Sequence, residues 1–591
     1  MEPLLKKNFR VAAALLAMCL LTALGRAQWQ TQSFVLSPGW NAVNVHVDMQ
    51  HTSLADLLGS TPVTEVWLWK PDLSTLQFVT SPQDPLDTNS RWLSWKKAFP
   101  LEATLSSIIG NASYLIRVDE SRGSNYTLEL KGKPVPPRSF WSSDGANFLG
   151  FSTVGTNPPS FYDFLEPVPD VRLNAELYEY VGGPIADNPA RVFDLRSEKV
   201  ERGKAFWIRA DGVYNRYYAP FEISLQKSEG VDFGKNASVY RVRIKNNTDE
   251  DLDVSLASVA SETPPAGQAS IEGAPEVLVR GAFSVDTLSH SFSRLSESDG
   301  SWTLAPKGAE GSEVDVILGL DRSGMTAEAD SFYAGLLRFT DSLGYAQYDI
   351  PVTATKGNVA GLWVGEAVVS EVRHNLGFFE RVGEEVREID RNVEFGTVAR
   401  PFKLRLIVHV AEDGTSHLLQ RVFYGLDDAN QPVLSTKEEN LNVEQLDIAR
   451  RISASHLPWT EGNDPWLLTG GDFGQGESVE VEVTLGADDH RSNPFLHSYH
   501  PDHDNRNATF SSSLGQGIES YGVTRTLHLE FDPPSDDFDS LTSGGVDIGG
   551  VYLEEIELAG SGTNNESYEV KGSFSLTRLN DLGTLLTTVS E

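Results

Sequence analysis

Side chains that could bind a metal ion crowd into one short stretch near the end of the chain. The sequence HSYHPDHD carries three histidines and two aspartates, namely His497, His500, Asp502, His503 and Asp504. Imidazole together with carboxylate fits Zn²⁺ or another transition metal, whereas carboxylate together with backbone carbonyl fits Ca²⁺. The stretch has neither an HExxH motif nor a calcium loop with its Gly and terminal Glu. Two interpretations stay open, a metal site and a polar loop whose side chains cap turns, and the missing motifs favour the loop.

The elements around this stretch determine how its side chains could meet. One predicted strand ends near Leu485 and the next begins near Gly522, so the connection is more than thirty residues long. Connections of that length tend to be functional or internally stapled. Pro494 and Pro501 exclude an uninterrupted helix, so the histidines could converge only in a loop that folds back on itself.

Two pairs of aromatic residues form a second group with recognisable chemistry. Trp67 alternates with Trp69, and Tyr178 alternates with Tyr180, in segments that read as strands. Because side chains alternate along a strand, each pair lies on one face. Such a face could stack on the rings of a glycan, or it could be part of a hydrophobic core. We favour the core, since aromatic residues bury most of their area in ordinary domains.

These pairs occupy matching places in a duplicated pattern. The segment FVLSPGWNAVNVHVD leads to SLADLLG, VTEVWLWKP and GNASYLIRVDES; later, FWSSDGANFLGFST leads to SFYDFLE, NAELYEYVGG and GKAFWIRADG. Each copy predicts a strand with a Gly-x-Asn turn, a short amphipathic helix, an aromatic strand and a closing strand. Asn41 and Asn147 are expected to bond to neighbouring backbone. Two copies of one small module explain the pattern.

The remaining sequence predicts β domains. Short alternating strands with frequent turns, about seven between residues 230 and 356, are typical of an immunoglobulin-like sandwich, and Asp341 to Gly344 form a hairpin turn. The last segment predicts about eight antiparallel strands and one helix, in NVEQLDIARRISASHL. Its opening residues Gly361, Leu362 and Trp363 match the Gly-x-Trp start of lipocalin-like barrels, which would imply a ligand cavity, but a buried Trp in the first strand of any β domain gives the same pattern, and three residues favour that simpler interpretation.

The predicted fold class is therefore mainly β and multidomain, with tandem small β or α+β modules, an immunoglobulin-like β-sandwich and a C-terminal antiparallel β domain, either sandwich or barrel. The predicted domains are a signal peptide at residues 1–27, a first repeat module at 28–133, a second at 134–229, the sandwich at 230–357, and the C-terminal domain with the His/Asp loop at 358–591.

The composition narrows the function. Residues 1–27 combine basic residues with a short apolar run and small residues, which is typical of a secretory signal. The only cysteine, Cys19, lies in that segment, so the mature chain has no disulfide. The net charge of −35 becomes −38 once the signal, with net charge +3, is removed. So acidic a chain disfavours nucleic acid as a partner, and no second apolar stretch predicts a transmembrane segment.

Several segments together resemble a family. GLWVGEAVV, PFKLRLIVHVAEDGTSHLLQRV, NPFLHSYHPDHDN, ESYGVTRTLHLEF and GSFSLTRL, with SPGWNAVNVHVD near the start, are similar to uncharacterised large exported or cell-surface proteins of Verrucomicrobia-type bacteria. The resemblance implies location and architecture and no activity. The leading hypothesis is an exported, non-enzymatic binding or scaffolding protein at the cell surface or in the periplasm, with a glycan or other surface proteins as partners. The alternatives are carbohydrate binding by the aromatic faces and a metal-dependent hydrolase at the His/Asp loop.

Overall fold

The computed structural model confirms a mainly β, multidomain chain. It describes residues 28–69, 92–137, 146–209, 219–376, 378–382, 385–389, 395–455, 465–486, 522–533, 538, 545–559 and 565–588. The chain divides into two compact units, Met1–Lys356 and Gly357–Glu591.

The first module contributes two small sheets and one helix. Its elements are β1 (Gln30–Leu36), β2 (Gly39–Val45), β3 (Val47–Asp48), α1 (Leu54–Leu58), β4 (Val63–Trp69), β5 (Trp92–Lys96), a 3₁₀ turn (Pro100–Glu102), β6 (Ala112–Val118) and β7 (Tyr126–Pro134). One sheet has the order β1-β7-β3 and the other β2-β6-β4-β5. Asn41 accepts from the Ser37 amide and donates to the Ser37 and Gly39 carbonyls, which confirms its expected backbone role.

The second module repeats the larger of these sheets. Its elements are β8 (Ala146–Leu149), α2 (Phe161–Phe164), α3 (Pro169–Asn174), β9 (Glu176–Glu179), a 3₁₀ turn (Ile185–Asp187), β10 (Ala190–Val192) and β11 (Phe206–Arg209). The order β8-β11-β9-β10 matches β2-β6-β4-β5 strand for strand. Helix α1 of the first module and helix α2 of the second also begin in the same way: the Ser53 hydroxyl accepts from the Asp56 amide, and the Ser160 hydroxyl accepts from the Asp163 amide.

The sandwich follows as two five-stranded sheets. Its strands are β12 (Phe221–Leu225), β13 (Val231–Asp232), β14 (Val239–Asn246), β15 (Leu252–Ala260), β16 (Glu276–Ser284), β17 (Ser289–Arg294), β18 (Gly300–Leu304), β19 (Glu313–Asp321), β20 (Phe332–Asp341) and β21 (Gln347–Thr355). The sheet orders are β12-β14-β19-β16-β17 and β13-β21-β20-β15-β18. Residues 230–356 hold nine of these strands, β13 to β21, against the expected seven, because short strands such as β13 carry too few residues to show an alternating pattern.

The second unit contains the longest strands. Its elements are β22 (Gly361–Leu376), β23 (Phe378–Val382), β24 (Glu385–Ile389), β25 (Gly396–Val410), β26 (Ser416–Leu418), β27 (Arg421–Leu426), β28 (Pro432–Ser435), β29 (Arg450–Ser453), β30 (Trp466–Leu467), β31 (Ser478–Leu485), β32 (Gly522–Phe531), β33 (Asp547–Ala559), β34 (Glu566–Asn580) and β35 (Leu585–Leu586). Eight of them form one sheet, β30-β26-β25-β22-β34-β33-β32-β31. A smaller sheet, β29-β27-β28-β35, and the hairpin β23-β24 complete the unit.

The large sheet closes on itself. Thr469, just after β30, exchanges two backbone hydrogen bonds with Glu480 of β31, at 2.8 and 2.7 Å, so the two edges meet. This geometry corresponds to the closed alternative of the predicted domain. Its interior is filled by apolar side chains, among which Trp363 packs on Phe473 at 5.5 Å between ring centroids. At the level of Trp363 the interior is thus occupied by side chains, which agrees with a buried tryptophan in the first strand and not with a lipocalin-like ligand cavity.

The predicted helix in residues 442–457 was wrong. The structure has two 3₁₀ turns, Glu438–Asn440 and Val443–Gln445, followed by strand β29. Leu446, Ile448 and Ile452 are two and four residues apart, so they do not keep the strict three- and four-residue spacing of a helical face. In β29, Ile452 instead packs against the small core formed by Leu362, Ile407 and their neighbours.

Candidate functional site

The predicted aromatic pairs lie between the two modules. Trp67 and Trp69 of β4 are 4% and 8% exposed, and Tyr178 of β9 is 8% exposed. Tyr180, which follows β9, is half-buried, and burial raises its pKa to about 12. Together with Trp207 of β11 these residues form one cluster. The two four-stranded sheets therefore meet through their aromatic faces.

The aromatic rings in this cluster pack against one another. Trp69 contacts Trp207 at 5.4 Å in a T-shaped arrangement, and Phe148 stacks on Trp207 at 4.7 Å. The indole N–H of Trp67 donates to a Glu65 carboxylate oxygen at 3.0 Å. In this arrangement the indoles of Trp67 and Trp69 stabilise the joint between modules, and they offer little area to a ligand.

The predicted metal ligands are not among the described residues. These ligands are His497, His500, Asp502, His503 and Asp504. Within the described ranges, no group of three or more His, Cys, Asp or Glu side chains could hold a metal ion.

A buried carboxylate joins three parts of the first unit. Asp349 of β21 accepts from Arg338 Nε at 2.6 Å, from Arg202 Nη2 at 3.4 Å and from Gln30 Nε2 at 3.1 Å. Burial alone would raise the pKa of Asp349, but the hydrogen bond from Arg338 and the charge of Arg202 hold it below its usual value. Arg202 also donates to the carbonyl of Thr153. These hydrogen bonds and ion pairs therefore link the first module, through Gln30, and the second module, through Arg202, to the sandwich.

His46 lies close to this ion-pair centre. Burial, and then the charge of Arg202, lower its pKa well below the ordinary value for histidine. Its Nδ1 lies 3.4 Å from the Ser152 hydroxyl. The imidazole is therefore neutral at neutral pH, and it forms part of the same buried joint.

Among the described residues, a cleft between the second module and the sandwich is a candidate for binding a ligand. It has a volume of about 400 Å³. The second module supplies one wall and the β20–β21 turn supplies the other. The polar and ring-bearing residues that line the cleft are Thr156, Asn157, Pro158, Pro159, Asp163, Lys199 and Tyr345. A volume of this size lies within the usual range of small-molecule sites.

The floor and walls of the cleft are fixed by hydrogen bonds. Thr153 and Ala346 form a β-bridge across the joint, and the Val154 amide donates to the Tyr345 carbonyl at 3.2 Å. On the turn side, the buried Asp341 carboxylate accepts from the amides of residues 343, 345 and 346. On the module side, Ser160 caps helix α2. The cleft is thus formed before any ligand arrives.

Several polar groups of the cleft are not used within the protein. Among the described residues, the Lys199 ammonium, the Asn157 amide and the Tyr345 hydroxyl have no hydrogen-bond or ion-pair partner. Burial, and then the negative charge of Asp163, raise the pKa of Tyr345, so its phenol remains a hydrogen-bond donor. Asn157 also has a left-handed backbone, with φ of 51°, a conformation that non-glycine residues seldom adopt. These groups contrast with those at Asp349, which already have partners.

Sequence reasoning missed this cleft. Its residues come from three separated segments, around Asn157, Lys199 and Tyr345, and none belongs to a known motif. The predicted turn at Asp341 to Gly344 was the only local signal near it, and the structure confirms a turn there.

Comparisons with known proteins add little to this picture. No family model matches the chain, and no curated protein matches it. An ASH/PapD-like domain of human CEP192 is 14% identical with a TM-score of 0.14, and the match covers 23% of this chain and 84% of that one. A putative carbohydrate binding protein from Bacteroides ovatus is 9% identical with a TM-score of 0.14, covering 33% and 66%. A protein of unknown function from Bacteroides ovatus is 12% identical with a TM-score of 0.13, covering 61% and 96%.

The helices of the described chain are short. None of them combines the length and the apolar character that a bilayer crossing needs.

Proposed function

We propose that the chain is an exported, non-enzymatic binding or scaffolding protein that acts at the cell surface or in the periplasm. The export part rests on residues 1–27 and on the resemblance to uncharacterised exported proteins of Verrucomicrobia-type bacteria. The scaffolding part rests on how the first unit is joined.

The observation that carries the proposal is the sharing of cores between modules. The aromatic cluster belongs to both modules at once. A second core runs from Phe161 and Phe206 of the second module into Tyr348 and Val352 of the sandwich. Because each module buries apolar surface against its neighbour, it cannot rotate freely as a bead on a flexible linker would. A body built in this way suits a support that holds a binding surface in a fixed place.

The first residues after the predicted signal support the same role. Trp29 is fully buried, and its amide donates to the Ser261 hydroxyl at 2.9 Å. Gln28 donates from its side chain to the Val352 carbonyl at 3.2 Å. Cleavage after Ala27 would therefore leave a chain end that is packed into the sandwich.

Hydrogen exchange measured by mass spectrometry across a urea series tests the scaffold role on the full mature chain. Peptides from residues 28–133, 146–209 and 219–356 should open together at one urea concentration, because their cores are shared. Peptides from the second unit provide an independent reference within the same sample. If the first module opens well before the sandwich, the shared-core reasoning is wrong.

Cell fractionation tests the export role. The protein should be recovered outside the cytoplasm with Gln28 as its first residue. Recovery from the cytoplasm with residues 1–27 intact would reject this part of the proposal.

A further inference from the structure

The cleft between the second module and the sandwich carries an inference about the ligand. We propose that it binds a neutral saccharide, through Tyr345 as the ring platform and Asn157 and Lys199 as polar contacts. The inference rests on the binding side of the proposed function, and it assigns that binding to a place which differs from the aromatic pairs.

The charges of the cleft favour a neutral ligand. Its lining holds one cation, Lys199, and one anion, Asp163, so the formal charges cancel. The mature chain carries a net charge of −38, which repels an anionic ligand before it arrives. A cationic ligand would instead meet the Lys199 ammonium, which has no carboxylate partner among the described residues.

The mixture of surfaces favours a polyhydroxylated ring. A saccharide presents an apolar C–H face and a rim of hydroxyl groups that both donate and accept hydrogen bonds. Tyr345 and Pro158 supply ring surfaces, and a tyrosine combines an apolar body with a polar tip. Asn157 both donates and accepts, Lys199 donates, and Asp163 accepts. A purely apolar ligand would leave the Asn157 amide and the Lys199 ammonium unpaired, which costs free energy.

The rigidity of the cleft makes binding by so small a site feasible. The β-bridge between Thr153 and Ala346 and the turn held by Asp341 fix its two walls. Loss of side-chain and loop freedom is a major cost of association, so a pre-formed site binds more tightly than a flexible one with the same contacts.

The test begins with the full mature chain on an array of neutral saccharides and, as a separate arm, acidic saccharides that contain uronate or sialate. The strongest ligand is then titrated by calorimetry. Asn157→Gly removes the amide and leaves a left-handed backbone that glycine adopts freely. Asn430→Gly is its matched control, because Asn430 also has a left-handed φ, of 59°, in an exposed turn of the second unit. Tyr345→Ala removes the platform, and Tyr424→Ala removes a surface tyrosine elsewhere.

The expected result is binding of a neutral saccharide that Asn157→Gly or Tyr345→Ala weakens by about tenfold or more, with both control variants unchanged. Asn157→Gly keeps the test informative if Tyr345→Ala fails to fold. The inference is overturned if no array position binds, if only acidic saccharides bind, or if the cleft variants bind as tightly as the unchanged chain. A failure here leaves the exchange and fractionation results untouched, so it is distinguishable from a failure of the scaffold or export proposals.

Discussion

Replacing Asp349 with asparagine should reveal how the parts of the first unit are held together. The carboxylate is almost fully buried, with a side chain that is 1% exposed, and it accepts from Arg338, Arg202, Gln30 and Gln347. An asparagine has nearly the same volume, so the change removes charge and one acceptor oxygen without opening a cavity. Whichever way the amide turns, its NH₂ group faces donors that have lost their acceptor.

The size of the effect follows from burial. The Arg202 side chain is only 17% exposed, and in the Asp349→Asn variant it would remain beside the second guanidinium, that of Arg338. Removing one partner of a buried ion pair costs about 3 to 5 kcal/mol. Since the carbonyl oxygen of asparagine still accepts hydrogen bonds, we expect a loss in the free energy of unfolding at the lower end of this range, about 3 kcal/mol. With a urea slope of about 3 kcal/mol/M, the unfolding midpoint should fall by about 1 M.

This shift in the urea midpoint is measured on the full chain, with hydrogen exchange of peptides from the first unit as the readout of unfolding. Asp315→Asn is the matched control, because Asp315 accepts two hydrogen bonds from Arg243 on an exposed sheet face, at 2.8 and 3.1 Å. Exposed pairs contribute little, so the control should leave the midpoint where it was. Equal shifts for the two variants would refute the idea that the buried ion pair joins the modules.

Buried titratable groups and the His/Asp loop give three further expectations. Burial and the charge of Arg202 lower the pKa of His46, so this imidazole takes up a proton more readily in the unfolded chain, and the free energy of unfolding should decrease as pH falls from about 7 to about 5.5. In urea titrations over this pH range, the free energy of unfolding should depend less steeply on pH for His46→Gln than for the unchanged chain. The same pH dependence in both proteins would contradict the reasoning. Glu554 accepts from Arg525 at 2.5 Å and from Tyr552 at 2.7 Å inside the closed sheet, so Glu554→Ala should cost about 3 to 5 kcal/mol in unfolding of the second unit, and a loss below about 1 kcal/mol would count against it. Elemental analysis of protein purified without chelators should find less than one metal ion per chain, whereas stoichiometric zinc or calcium that disappears in His500→Ala would favour the metal interpretation of that loop.

Local pattern predicted the duplicated module because each of its features depends on near neighbours. The Ser-x-x-Asp caps of α1 and α2 and the backbone bonds of Asn41 involve residues two to four positions apart. Alternation likewise placed Trp67 and Trp69 on one strand face. It could not show what covers that face, because the covering rings come from a strand more than one hundred residues further along.

The candidate site depends on contacts that no local pattern records. Arg202 and Asp349 are 147 residues apart, and the cleft draws Asn157, Lys199 and Tyr345 from different segments. Each of these residues looks like an ordinary loop or turn residue when it is read with its neighbours alone. The mistaken helix has the same origin, since Ile452 finds its apolar partners in distant strands.

The duplication also explains why the two modules are joined so closely. Each copy has a sheet with two apolar faces, and its own short helix covers only one of them, as α1 does for the face that carries Leu68 and Ile116. The other face must be buried against something, and a second copy of the same sheet presents a surface of the same width and ring content. The backbones also meet at Gly39, which has φ of 88°: the Trp40 amide donates to the Gly183 carbonyl at 3.0 Å, and a Cβ added at Gly39 would lie 2.1 Å from that carbonyl oxygen. A side chain at position 39 would push the two sheets apart, so the Gly-x-Asn turn that marks each copy in the sequence is, in the first copy, also a contact that holds the copies together.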